Sequence, residues 1–409
     1  MLLLKASSQA NGKWAGITPY AFLLAAATFA IGTDAFIIAG ILPQISTTLN
    51  VSIGGAGFVV SVFSISYAIG APLVSAASAH LSRRLVVVGG LAAFAVANVL
   101  SAISTDLPIL LLTRVFAACA AGLVAPACYA IASGLGSDED RGKNLAVIAA
   151  GFTSATVFGV PLGVYISRYF GWRGSLVFVA LLGFIAGAAL MKVGVPEPKA
   201  QPRVASIGDQ FYAIRNARTL FVMAPFVVWS AANFGLYTYI AAILGQHLGG
   251  KMVPLLLVAF GFGAVFGNLV GGGMSDRFGV RWPTVLFLVT LTGALSLVDA
   301  ASYSAVTAAL ALLVWATSMA ALFTLQQQRA IATDPERSNL MLALNNSALY
   351  FGASVGSAFI GAIISRTSLA SAPFVSALIS AAALVLLLVL PQPSPLRDPS
   401  NIGSRRAPS

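Results

Sequence analysis

Acidic residues are rare in this sequence, 12 among 409 positions, and histidine and cysteine are rarer still, two of each. Catalytic and metal-binding clusters need such groups at short spacings. Cys119 and Cys128 sit nine positions apart in one apolar run, and His80 and His247 are expected on opposite faces of a membrane. No CxxC, zinc or His/Cys catalytic pattern can be assembled from them, so no metal, no cofactor and no enzyme activity are expected. The two cysteines say nothing about redox compartment. The start, MLLLKASSQANGKW, lacks the charged leader, apolar core and small-residue cleavage site of a signal peptide, so the first helix is expected to stay in place. Two pattern matches also fall away for want of a strand-turn-helix setting: GASVG at 352–356 is no nucleophile elbow, and GFGAVFG at 261–267 is no dinucleotide loop.

What the chain has instead is apolar sequence. It is 58% hydrophobic and 9% charged with a mean hydropathy of +0.91, far from the roughly half-apolar composition of a soluble domain. Cutting it at its charges leaves twelve runs long enough to cross a bilayer, at 18–41, 54–78, 85–105, 108–134, 144–167, 174–193, 219–244, 253–275, 282–301, 304–327, 340–364 and 369–390. The net charge of +11 does not imply nucleic acid, because the bases concentrate on one set of loops. Only Arg168, Arg173, Lys251 and Arg366 fall on the other set, which by the positive-inside rule places both termini in the cytoplasm.

The longest polar stretch, PEPKAQPRVASIGDQFYAIRNAR at 196–218, divides the chain into two sets of six. The expected organisation is an N-terminal six-helix bundle (1–194), a cytoplasmic linker (195–218), a C-terminal six-helix bundle (219–391) and a cytoplasmic tail (392–409). SATVFGVPLG at 154–163 aligns with SALYFGASVG at 347–356, and Gly70 with Ser82-Arg83-Arg84 aligns with Gly267 and Gly279-Val280-Arg281. Two aligned blocks in the same order favour a duplicated unit, an architecture that puts a substrate site between the repeats near mid-membrane.

GGGMSDRFGVRW at 271–282 carries Gly272, Asp276, Arg277, Gly279 and Arg281. This resembles the loop signature of the major facilitator superfamily, Gly-x-x-x-Asp-Arg-x-Gly-x-Arg. The resemblance implies a conformational latch, in which charge-assisted bonds between helix ends break as the bundle rocks. The first-half counterpart, SAASAHLSRR at 75–84, is degraded: Ala79, His80 and Ser82 replace the Asp, Arg and Gly, and only Arg83 and Arg84 survive. TRVFAACAAGLVAP at 113–126 resembles the family's fourth-helix signature, with Arg114, Gly122 and Pro126, although Ala118 stands where a glycine is usual. GFTSATVFGVPLG at 151–163 resembles the fifth helix of the superfamily's antiporters through Gly151, Gly159, Pro161 and Gly163, and GWR follows at 171–173 as in bacterial drug:proton antiporters with twelve helices. Pro161 is expected to bend the helix by removing a backbone bond.

FAIGTDAFIIAGILPQI at 29–45 resembles the first helix of the same group, which carries an acid before Gly-Leu-Leu-Pro. Asp34 is the only acid expected near mid-membrane. Burial disfavours a charged carboxylate and a neighbouring guanidinium favours it, so such a group can load or release a proton as its surroundings change. Arg114 is the expected modulator; the alternatives are an arginine that snorkels from a helix end and an acid that only packs helices through Thr33 or Arg114. Tyr67, Tyr129, Trp229, Asn233, Tyr237, Tyr239, Asn268, Trp315, Gln326, Asn345 and Asn346 are candidates for lining a cavity, though half of them could serve only to bond helices together.

The resemblance implies an all-α integral membrane protein, twelve transmembrane helices in two pseudo-symmetric bundles, multi-pass in the bacterial cytoplasmic membrane. It implies a monomer that exports a small organic molecule by alternating access in exchange for protons. The partners implied are the substrate, protons and the lipid bilayer, with no nucleic acid. The alternatives are an uncoupled facilitator or importer of a sugar or nucleoside, and, further off, a membrane enzyme or channel.

Overall fold

Backbone amides inside a bilayer have no water to bond, so a chain this apolar must satisfy them within helices or a closed barrel. The computed structural model, which describes residues 18–78, 80–135, 138–195, 208 and 215–391, is helical throughout its membrane-length elements. Ala79, most of the linker (196–207 and 209–214) and the tail from 392 lie outside the described residues. The helices are α1 (Pro19–Thr48), α2 (Phe58–Ala77, preceded by a turn at Ile53–Ala56), α3 (Arg83–Ala102), α4 (Leu107–Ala132), α5 (Asp138–Ser154) and α6 (Val160–Val193), then α7 (Ala217–Thr238), α8 (Ile240–Leu248), α9 (Val253–Phe278), α10 (Arg281–Ala301), α11 (Ala305–Thr333), α12 (Ser338–Arg366) and α13 (Ser371–Val389).

Their starts follow ordinary chemistry. Pro19 opens α1, Ser82 Oγ accepts the Leu85 amide, and Asp106 Oδ1 accepts the Ile109 amide at 2.9 Å. Among the described residues, eleven helical runs are long and apolar enough to cross a membrane, one of them the 54-residue stretch Asp140–Val193. A straight helix of that length would be about 81 Å long, more than twice a hydrocarbon core. It is two crossings: Gly171 has φ 67° and ψ 177°, the chain doubles back there, and Ser175 Oγ reaches the Gly163 carbonyl at 2.8 Å. A side chain at that positive φ would be strained. The seventh crossing is α7 continued by α8, with a break at Tyr239. The twelve crossings therefore match the runs in the sequence, with helix ends displaced by a few residues. The largest extension is α1, which carries Pro43 inside it and continues to Thr48.

Packing repeats between the halves. In the first, α2 packs on α4, α3 on α4 and α6, and α1 on α6; in the second, α9 packs on α11, α10 on α11 and α13, and α7 on α12 and α13. These are two pseudo-symmetric six-helix bundles. They meet along α2 against α12, along α9 against α6 and the end of α5, and where α1 touches α7 and α8. At the end of the molecule away from Val193 and Ala217, Ser354 Oγ donates to the Ser61 carbonyl at 2.9 Å and Ser357 Oγ to the Gly57 carbonyl at 3.1 Å, both across the seam. Gly361 allows this approach: a Cβ there would lie 2.9 Å from the Gly54 carbonyl oxygen and would meet the Tyr239 hydroxyl.

The missing amide of Pro161 is accommodated by a π-helical turn at Ala155–Gly159, which widens the helix where α9 crosses it. Gly261 of α9 fits there because a Cβ would come within 2.6 Å of the Thr156 oxygen and the Val157 Cα.

Candidate functional site

Asp34 is halfway along the 30-residue α1 and fully buried. The glycines of the α5–α6 run bring that run against it. A Cβ on Gly151 would be 2.8 Å from Thr28 Oγ1, one on Gly159 would be 3.1 Å from Thr33 Cβ, and one on Gly163 would strike Ile37. Pro161 follows directly from that close-packed stretch.

Arg114, two turns into α4, is also fully buried and does not snorkel. Its Nη2 donates to Asp34 Oδ2 at 2.7 Å, forming an ion pair between residues eighty positions apart. Nη1 donates to Asn98 Oδ1 at 3.0 Å, Asn98 Nδ2 in turn donates to the Phe94 carbonyl at 3.1 Å, and the guanidinium carbon lies 4.7 Å from the centre of the Phe63 ring. Four helices, α1 to α4, thus surround one positive and one negative charge. Burying such a pair is costly unless geometry and hydrogen bonds compensate, and here Asn98 and the Phe63 face hold the guanidinium from the sides away from Asp34. Asp34 Oδ1 and Arg114 Nε have no hydrogen-bond partner among the described residues. The carboxyl therefore keeps one oxygen on which a proton can sit without displacing the arginine.

Beside the pair, Tyr67 of α2 stacks on Tyr350 of α12, ring centres 4.0 Å apart, so the two bundles touch at this level. Tyr129 is partly exposed on the same side. In the second bundle, Trp229, Asn233 and Tyr237 recur every four residues on one face of α7. Asn233 Oδ1 accepts the Trp315 indole N–H at 2.6 Å, an uncharged α7–α11 link occupying the place that the Asp34–Arg114 link has between α1 and α4. Tyr239 lies at the seam, its hydroxyl donating to the Ser357 carbonyl at 2.9 Å. Asn345 is buried seven residues before Gly352, on the stripe of α12 that faces α7, with neither amide atom bonded among the described residues. Gln326 donates to the Val222 carbonyl at 3.3 Å and accepts from Arg329, while Asn268 accepts from Thr324 at 3.3 Å.

The loop residues have a different setting. Gly279 ends α9 with φ 70°, and Asp276, Arg277 and Arg281 are exposed with no ion pair to any described residue. Gly272, partly buried near the end of α9, would meet nothing within 4 Å of an added Cβ. Ser275 of the same loop bonds Gln328 of α11. In the first half, Arg84 caps the Met191 carbonyl at 3.2 Å. Sequence reasoning missed Asn98, Phe63, Tyr350 and Phe36. Asn98 offered a signal, an amide inside the apolar run AVANVL; the others are aromatics among many, distinguishable only by what they touch.

The family model for the Major Facilitator Superfamily matches residues 24–327 and, in a second match, 240–408. The chain is 29% identical over 363 residues to the uncharacterized MFS-type transporter YbcL of Bacillus subtilis, covering 87% of this chain and 92% of that one. It is 28% identical to the inner membrane transport protein YdhP of Escherichia coli, covering 91% and 96%. It is 35% identical to the chloramphenicol resistance protein of Streptomyces lividans, over 63% of this chain and 66% of that protein. Among solved structures it superposes on the nucleoside transporter NupG with a TM-score of 0.74 at 15% identity, covering 90% of this chain and 98% of that one, a likeness of fold.

Proposed function

Because the chain belongs to the major facilitator superfamily and is therefore a multi-pass membrane transporter, we propose that it exports a small organic molecule in exchange for protons. The observation that carries this reading is the buried Asp34–Arg114 pair with one carboxylate oxygen unbonded. It is the single acid among the buried described residues, placed halfway along its helix. Asp34 takes the proton from the outside when the bundle opens that way; the Arg114 charge then rests on Asn98 and Phe63, and release of the proton to the inside restores the ion pair. The likeness to the chloramphenicol resistance protein supports export of a drug-sized organic compound.

In this reading the bundles span 1–194 and 219–391, joined by the 195–218 linker and followed by a 392–409 tail. Both termini face the cytoplasm of a bacterial cell, and the protein works as a monomer. Substrate occupies the space between Tyr67, Tyr129 and the Trp229–Asn233–Tyr237 face, and Gly272, Asp276, Arg277, Gly279 and Arg281 form a latch that engages in a different conformation from the one described. At the far end a cavity of about 640 Å³ between the bundles, with Gln44, Ser167, Arg168 and Gln246 among its lining, serves as the exit vestibule. Its size suits a small organic ligand.

The test is transport in proteoliposomes with an imposed pH gradient, using chloramphenicol as the first substrate. Asp34→Asn should abolish gradient-driven movement while Asp34→Glu retains part of it. Gradient-driven transport undiminished in Asp34→Asn would refute the role of Asp34, and transport indifferent to the gradient in the unmodified protein would make it a facilitator instead.

A further inference from the structure

We infer that Asn233 is the hydrogen-bond donor that selects the substrate, and that the substrate is an uncharged, flat aromatic molecule bearing a hydrogen-bond acceptor. The inference rests on the transport reading and adds to it the chemistry of what is carried.

An indole N–H can only donate, so the Asn233 atom that it meets at 2.6 Å must be the amide oxygen. That fixes the other end of the side chain as the NH2 group. Asn233 is fully buried, and Nδ2 has no hydrogen-bond partner among the described residues. A buried donor left unbonded costs about 1–3 kcal/mol. Trp315 therefore aims an unsatisfied donor in a direction the side chain cannot reverse without losing its own bond.

What surrounds this donor is aromatic. Trp315 lies 5.5 Å from Phe260 and 6.3 Å from Tyr237, ring centre to ring centre, and Tyr237 is one turn beyond Asn233 on the same face of α7. The first bundle contributes Phe36, whose ring packs 5.9 Å from Tyr237 and stacks 6.1 Å from Phe234. Phe36 is two residues from Asp34, so ring contacts and the proton site share one helix turn. In this conformation Phe36 closes against the α7 rings; as the bundles part, a flat ring replaces it between those faces, and an acceptor on that ring reaches Asn233 Nδ2.

Charge selection follows from the inventory. The rings and the amide carry no charge, and the buried carboxylate nearby is neutralised by Arg114 at 2.7 Å. The ring faces would attract a cation, but with no free acid its lost hydration goes uncompensated, and once Asp34 is protonated it would also meet the positive Arg114.

The experiment uses equilibrium binding to the full chain in lipid nanodiscs, read by quenching of tryptophan fluorescence with no pH gradient, so that it does not depend on proton coupling. The probes are 9-fluorenone, fluorene and N-methylacridinium, three planar tricyclic aromatics of which the first has a carbonyl acceptor, the second none, and the third a fixed positive charge. Fluorenone should bind roughly three- to tenfold more tightly than fluorene, the worth of one net hydrogen bond, and at least about tenfold more tightly than the cation. Asn233→Leu keeps similar bulk and leaves no group that can donate, so the fluorenone preference should vanish. Trp315→Phe frees the amide to turn and should reduce the preference without removing the aromatic site. A fluorenone preference that survives Asn233→Leu, equal binding of the cation, or no saturable binding of fluorenone would each overturn the inference. Loss of pH-driven transport in Asp34→Asn, with the fluorenone preference intact, would leave the inference standing; failure of the transport reading would show itself in the gradient assay instead.

Discussion

Replacing Arg114 by methionine removes the one partner that a fully buried carboxylate has among the described residues and should be strongly destabilising. Asp34 loses its 2.7 Å bond, its other oxygen has no partner among the described residues, and Asn98 loses the donor it holds at 3.0 Å. Breaking one side of a buried ion pair costs about 3–5 kcal/mol. Asp34→Asn breaks the same pair from the other side: the amide oxygen still accepts from Arg114 and the guanidinium keeps Asn98 and the Phe63 face 4.7 Å away, but its charge, which arginine cannot shed, loses its counter-ion. Its loss should fall in the same range of about 3–5 kcal/mol. The double variant Asp34→Asn/Arg114→Met buries no charge, and replacing both members of a buried pair is often nearly neutral. It should therefore be more stable than either single variant, although all three should lack gradient-driven transport. Thermal denaturation of fluorescent fusions in detergent, run as a double-mutant cycle, measures this. If the double variant is no more stable than the single variants, or shows the sum of the two single losses, the ion pair does not hold the helices as described.

Three other outcomes follow from the packing and topology. Gly159→Val should destabilise by about 1–3 kcal/mol through overpacking against Thr33 and Phe29, lowering folded yield on size exclusion, whereas full stability would mean that α5 and α1 can move apart freely. Removing the seam hydroxyls with Ser354→Ala/Ser357→Ala forfeits two bonds of about 0.5–1.5 kcal/mol each, so a cysteine placed at Gln44 should label faster from the outside; unchanged labelling would show that the seam does not close that end. Reporter fusions at Lys199 and at the C-terminus should both report the cytoplasm, and export of either reporter would overturn the orientation read from the loop charges.

Hydropathy is a local property, so the twelve crossings could be read from runs of residues without knowing what each would touch. The ends of helices are less local. The apolar run of the first crossing reads as ending at Ile41, yet α1 continues through Pro43 to Thr48, and Gln44 Nε2 donates to Ser167 Oγ at 2.8 Å. At Pro161 the sequence marks where an amide is missing but not how the chain absorbs the loss, which here is a π-helical turn with α9 packed against it. The loop at 271–282 was legible as a charged turn, but the exposure of Asp276 and Arg277 depends on where neighbouring helix ends stand.

The sequence alone determined that this chain lives in a membrane, how many times it crosses, and that Asp34 interrupts an apolar run, because apolar length and the scarcity of charge do not depend on partners. The tertiary structure decided which groups meet. Arg114 is eighty residues from Asp34 and Trp315 eighty-two from Asn233, and in each case packing of separate helices chose the bond. It also decided that Asn98 and Phe63 hold the arginine and that Tyr350 faces Tyr67 across the bundles. Those contacts join helices distant in sequence, and the physics that selects them, close packing and the satisfaction of buried polar groups, acts only once the helices are side by side.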